Sequence, residues 1–468
     1  MGTPAPEPLG LDALHRRAKE LARAHAAGDP AAVARAGAHR ANPLKPLKVA
    51  GAQHVLAREL GFDSWPRLRA YVQRVETHGT ALEHAYHEDL GSYEGRAEGL
   101  LASARDGTPG ALAPFEGTGA PLTSAGARTV VAQRHGFATW SALRRHVEDL
   151  REGGEPFARA YRAVEARADG ALRELLDLFP DLVTARGTNG NDLLGMATAT
   201  GDERVVDLLL ERGSDPNHAN AHGWTPLHQT AYSDQPRLAR RLLDAGAWPE
   251  VSARGEGGTP LVAALFWGHR RVTEVLEPEG VLPRNLRAAA GLGRLDVLDE
   301  LVAADGTVSP AAGAHRGFYR PHSGFPPWAP SDDPQEVLDE ALSWAARSDR
   351  VEALDVLVAR GARVDADVYR GTALAWAAAS GRVAAVGRLL ALGADVDARG
   401  TFGGPDHGDG VTALHLAAQG GRREVVEALL AAGADPALRD AGHDGTAAGW
   451  AQVGGHDALA ALLCEREG

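Results

Sequence analysis

The stretch Val411 to Pro436, VTALHLAAQGGRREVVEALLAAGADP, constrains the fold more tightly than any other feature of the chain, because its chemistry recurs along the C-terminal two-thirds. The spacing of the copies is about thirty-three residues. Thr412 is placed to cap a short helix whose apolar positions are Leu414, Leu416, Ala417 and Ala418. Gly420-Gly421 breaks that helix. A second helix from Arg422 carries Val425, Val426, Leu429 and Leu430 on one stripe and stops at Gly433. Two short antiparallel helices and a loop cannot bury both apolar faces alone, so such a unit has to stack on copies of itself.

The copies are present. Thr225-Pro226-Leu227-His228 opens one that closes with Leu242-Leu243 and Gly246, and Thr259-Pro260-Leu261 opens the next. Thr372-Ala373-Leu374 with Gly393-Ala394-Asp395 makes another. Gly190 to Asp215, Asn285 to Val302, Ser343 to Val364 and Gly445 to Leu463 are degenerate versions, and Phe157 to Val183 reads as the first unit. With its T-P-L-H-x-A-A-x-x-G and L-L-x-x-G-A-D cores, the pattern resembles the ankyrin repeat over residues 157 to 463. The resemblance implies an all-α fold: an ankyrin-repeat solenoid with finger loops and with inner helices on a concave face. It implies little about chemistry. His228 and His415 fall in the slot where the family's histidine braces neighbouring loop backbone.

Upstream, Asp29 before Pro30 marks a helix start. One pattern then occurs twice: Ala52 to Val72 and Ala127 to Val147 each read as helix, glycine stop, phenylalanine, Ser or Thr cap, tryptophan and second helix. Trp65 and Trp140, at the same phase of both copies, are expected to be core. The duplicated hairpin (52–76 and 127–151) resembles segments attached to bacterial ankyrin proteins. The domain reading is a helical module over 1–152, acting as an N-terminal cap, and a solenoid over 157–468. Thr108 to Gly126, rich in Gly, Pro and Thr, reads as a loop between the module's halves.

The formal net charge is -13, yet residues 1–76 hold twelve Lys or Arg against seven Asp or Glu. The solenoid is therefore acidic, a poor surface for phosphates, and nucleic acid is disfavoured as a partner. Cys464 is the sole cysteine, which excludes an internal disulfide or a thiolate zinc site. No apolar run is long enough for a membrane span and the first residues hold no signal-peptide core, so a cytoplasmic protein is expected. Only Lys19, Lys45 and Lys48 are lysines, a bias that points to a high-GC bacterial genome.

Two interruptions of the period carry the functional candidates, since a repeat array takes insertions in its loops. The first, 305–335, brings His315, Arg316, Tyr319, Arg320, His322 and Trp328; the second, 398–410, brings Phe402, Asp406, His407 and Asp409. The region from Asn285 to Leu416 resembles a bacterial ankyrin subfamily. Trp224, Tyr232, Phe266 and Trp267 sit at phases that ankyrin-type units leave variable, either as anchors for a partner or as packing against the next finger. Trp344, Trp376 and Trp450 share an inner-helix phase and are expected to be core. Asp406, His407 and Asp409 have the chemistry of a metal or acid/base site, but their spacing within one Gly-rich loop equally fits a solvated turn. No P-loop, G-x-S-x-G or H-E-x-x-H motif occurs. The expectation is a scaffold for a protein or peptide partner, without cofactor, catalytic residue or metal. The alternative is an enzyme or small-ligand-binding protein with its site between the two insertions.

Overall fold

A computed structural model describes residues 9–39, 42, 45–105, 109–150, 153–253, 255–280, 282–317, 330–401 and 409–467. The chain divides into two compact units, Met1–His222 and Gly223–Gly468.

The first unit holds α1 (Leu11–Ala26), α2 (Pro30–Ala38), α3 (Val49–Glu59), α4 (Trp65–His78), α5 (Leu90–Arg105), α6 (Pro109–Thr118), α7 (Ser124–Arg134) and α8 (Trp140–Leu150). Two helix pairs follow, α9 (Pro156–Glu165) with α10 (Asp169–Leu178) and α11 (Leu193–Thr200) with α12 (Glu203–Glu211). Asp29 caps α2 by accepting from the Ala32 amide at 2.8 Å. The duplicated hairpins are α3/α4 and α7/α8, with Gly61 and Gly136 left-handed at φ +79° and +75°. Trp65 and Trp140 differ from expectation. Each opens its helix and is half-buried, Trp65 edge-on to His15 and Trp140 under the Arg128 guanidinium. A first-turn residue points back over the helix start, so these rings cover the hairpin's edge while Leu68 and Leu143 fill its centre.

The segment read as a loop contains α6, whose Phe115 is 3% exposed. Burial of that ring outweighs the Gly and Pro content. A two-residue parallel pairing joins β1 (Glu83–His84) to β2 (Arg186–Gly187), with Glu83 opposite Arg186. Gly187 is required there: a β-carbon would lie 2.6 Å from the Tyr86 ring and 2.7 Å from the Phe157 ring.

In the second unit the inner helices are α13 (Pro226–Tyr232), α15 (Pro260–Trp267), α17 (Leu286–Leu292), α19 (Pro334–Arg347), α21 (Ala373–Ala379), α23 (Ala413–Gln419) and α25 (Ala447–Val453). Their outer partners are α14 (Pro236–Asp244), α16 (Arg270–Leu276), α18 (Leu295–Leu301), α20 (Val351–Ala359), α22 (Val383–Ala391), α24 (Arg423–Ala431) and α26 (Asp457–Cys464). Each inner helix packs on the next, which makes this unit an all-α repeat solenoid. The inner helices start where sequence placed them, because Thr259 and Thr372 accept the third-residue amide and Asn285 does the same. On α24, Val425, Val426 and Leu429 are at most 1% exposed. Burying each contributes about 1.5–3 kcal/mol, a gain that rests on packing against both α23 and the neighbouring repeat's α22. Both interruptions fall between an outer helix and the next inner helix, and α17 packs directly on α19 across the first.

Candidate binding surface

Inner helices α13 and α15 carry an aromatic ladder. Trp224 lies 6.4 Å from Tyr232, and Tyr232 lies 5.5 Å from Trp267, with the planes close to perpendicular in both pairs. Edge-to-face contacts of this kind fix each ring and contribute about 0.5–1.5 kcal/mol beyond area burial. Tyr232 is 45% exposed, and Trp224 and Trp267 are half-buried. The Trp224 indole N–H donates to Gln229 Oε1 at 3.3 Å, which orients the ring further.

Phe266 is placed otherwise. It is 6% exposed and packs against Trp344, Tyr369 and Trp376 at 6.2, 5.9 and 5.7 Å. Arg347, 1% exposed, stands at the centre of this group with its guanidinium 3.7 Å from the Trp376 ring centroid. It donates to the Phe266 carbonyl at 2.7 Å and to the Ser343 hydroxyl at 2.6 Å, tying α15 to α19. Trp344, Trp376 and Trp450 are interior, as their shared phase predicts.

At the first interruption, His315 Nδ1 lies 2.6 Å from Glu256 Oε1 on the finger between α14 and α15, and both side chains are exposed. Arg316 is 4% exposed and is not available to a partner. Its Nε donates to Glu340 at 2.5 Å, Nη2 to Glu336 at 3.0 Å and Nη1 to the Ser331 carbonyl at 2.6 Å. Arg316 thus fastens both ends of the insertion to α19. The other oxygen of Glu340 accepts from Arg287 at 2.9 Å, and that guanidinium lies over Trp344 at 4.7 Å. At the second interruption Gly400 pairs with Val411, and the exposed Asp409 gives its carbonyl to the Ala441 amide at 2.7 Å. Tyr319, Arg320, His322, Trp328, Phe402, Asp406 and His407 lie outside the described residues.

Sequence reasoning missed Trp248, which is 65% exposed on the finger after α14. The signal was there: a tryptophan follows Gly246-Ala247 where the repeat pattern has aspartate. It also missed Arg287, Arg347 and Glu340.

A family model of three ankyrin repeats matches residues 164–283 and 286–400, and a single-repeat model matches 409–441. The chain belongs to the ankyrin-repeat family. Among curated proteins, it is 36% identical over 96 residues to the inactive serine/threonine-protein kinase TEX14 of Mus musculus, covering 20% of this chain and 6% of that protein. It is 32% identical over 164 residues to the E3 ubiquitin-protein ligase XBAT32 of Arabidopsis thaliana, covering 32% of each. To the transient receptor potential cation channel subfamily A member 1 homolog of Caenorhabditis elegans it is 26% identical over 153 residues, 32% of this chain and 12% of that one. The chain thus spans at most 32% of these relatives' lengths.

As expected for an ankyrin-repeat protein, the histidines of the T-P-L-H slot are braces. Nε2 of His228 meets the Gly258 carbonyl at 2.9 Å and Nε2 of His415 meets the Gly445 carbonyl at 3.1 Å. A carbonyl only accepts, so Nε2 carries the proton and Nδ1 is free to accept from the cap amide of Thr225 or Thr412. Both rings are therefore neutral, and burial holds His415 below its ordinary pKa against the pull of the Gly445 carbonyl and Asp440. His415→Ala strips partners from the Thr412 amide and the Gly445 carbonyl, and is expected to cost about 2 kcal/mol in urea unfolding. Among the described residues, no helix is long and apolar enough to cross a membrane.

Proposed function

We propose that this protein is an interaction scaffold that holds a protein or peptide partner on the inner-helix face and finger loops of its repeats. Ankyrin repeats generally mediate protein–protein interaction, and the stacked units offer an extended, rigid surface. Tyr232, Trp267 and Trp224 are the anchors of that surface, and Trp248 is exposed on the finger after α14. The observation that carries this reading is the aromatic ladder: bulky rings with few rotamers, fixed edge to face on short rigid helices, with Tyr232 45% exposed. His315 and the insertion that holds it extend the surface on the finger side. Residues 1–152 act as a cap on the first repeats. The three-lysine, Arg-rich composition and the absence of apolar spans in the sequence support a bacterial cytoplasm as the setting.

Affinity capture with the intact chain and with a Tyr232→Ser/Trp267→Ser double variant tests the reading. Tyr232 is exposed and Trp267 half-buried, so a thermal melt of the variant is recorded to show that it is folded. The expected result is one or more proteins retained by the parent and lost, at least tenfold, by the variant. An identical set retained by both, or nothing retained by either, counts against it.

A further inference from the structure

The first unit contains a cavity of about 930 Å³ that belongs to neither the aromatic ladder nor the interruptions. It is an open cleft bordered by the turn before β1, by α6 and α7, and by the fingers around Arg186 and Asn220. Its volume is in the range that holds a drug-sized molecule. Phe137 and Pro114, both half-buried, give it apolar surface, and Glu83, Arg134 and Arg186 give it charge.

The charge is unbalanced. Glu83, 4% exposed, is engaged by Arg134, and the half-buried Arg96 lies close enough to act on it as well. Arg186 also lines the cavity and is exposed. Among the described residues, no carboxylate lies within ion-pair distance of Arg186, and no hydrogen bond occupies its guanidinium. The backbone beneath it is nevertheless fixed, since β2 pairs with β1 in register with Glu83. One carboxylate thus faces two arginines on the lining and a third behind it, in a chain whose net charge is -13. An electropositive recess in an acidic protein beside apolar surface selects for an anion with an apolar body.

We infer that this cavity binds a small amphipathic anion, a sulfonate, carboxylate or phosphate group against Arg186 and Arg134 with a ring or alkyl body over Phe137 and Pro114. The ligand's charge supplies the partner that Arg186 has room to take, and its body displaces water from the apolar surface. This site is independent of the protein-binding surface, so the failure of either reading leaves the other standing.

The probe is 8-anilinonaphthalene-1-sulfonate, with N-phenyl-1-naphthylamine as the same body lacking the sulfonate. Both are titrated into the full chain by fluorescence, and stoichiometry for the sulfonate is read by calorimetry. The expected result is one saturable site for the sulfonate. Arg186→Glu should weaken the sulfonate at least tenfold and change the neutral probe less than twofold. Ala138→Trp, an exposed lining position, should close the mouth and weaken both probes. Thermal melts of the two variants show whether each is folded. The absence of a saturable site overturns the inference. So does sulfonate affinity that either variant, shown to be folded, leaves unchanged.

Discussion

Glu340→Ala is expected to lower the stability of the second unit by about 3–5 kcal/mol, the largest effect of any single substitution away from the apolar core. The carboxylate is 1% exposed and serves two guanidiniums at once, Arg287 at 1% exposure and Arg316 at 4%. Burial by itself would lower the Arg316 pKa, and the facing Glu340 and Glu336 carboxylates outweigh it and raise it. Removing Glu340 withdraws the carboxylate that faces both buried like charges in a medium that screens them poorly, and leaves Arg316 the Glu336 carboxylate at 3.0 Å. Glu340→Gln keeps one acceptor and should cost less. Urea unfolding gives the magnitude. Amide exchange across Ala314–Gly317 gives the location, because the insertion's root is held through Arg316. Equal midpoints for the parent and both variants would mean that the network carries no stability.

The same residues explain which parts of the molecule could be read in advance. Helices α23 and α24 were legible because cap, apolar stripe and terminating Gly433 agree within one short window, and the copies repeat the agreement. The histidine braces were legible through the family pattern. The interior arginines were not. A charged residue inside a helix reads as a solvated face, and only the partner's position, 53 residues away for Arg287 and Glu340, makes it a core residue. Asp339 is a second case: fully covered on α19, it accepts from Arg363 Nε at 2.8 Å and from Gln335 at 2.9 Å. Strands β1 and β2 are two residues each, too short for alternation to show. Of the candidate surface, Tyr232 is exposed, and Trp267 and Trp224 are half-buried. Phe266 and Arg316 turned inward because neighbouring repeats supply Trp376 and Glu340, contacts that no local window contains.

The first unit is expected to be about 2–3 kcal/mol less stable at pH 5 than at pH 7, through histidines that folding keeps neutral. His84 is 7% exposed, stacks on Phe157 at 5.3 Å, and is pushed down to about 4 mainly by burial. His135 is 1% exposed, donates from Nδ1 to the Val131 carbonyl at 2.8 Å, meets Thr188 at 3.0 Å, and is pushed by burial down to about 3. His146 is lowered as well, again chiefly by burial. In the unfolded chain each imidazole takes its proton near pH 6.5, so between there and the folded values the unfolded state binds more protons and stability falls with pH. At pH 5, His84 and His135 together cost about 4 kcal/mol. Asp192 acts the other way, because burial raises it to about 6 and the folded state then binds a proton that the unfolded chain lacks. That returns about 1 kcal/mol, and Glu83, raised by burial, acts in the same sense. Desolvation would raise Glu155, but His146 and Arg74 hold it below its usual value, and it adds to the loss only at lower pH. Exchange of peptides from Ser124–Arg134, measured against urea at both pH values and corrected for intrinsic rate, reads this unit separately from the second. His84→Asn/His135→Gln should remove at least half of the acid-induced drop, whereas a drop of undiminished size in that variant would place its source outside these two rings.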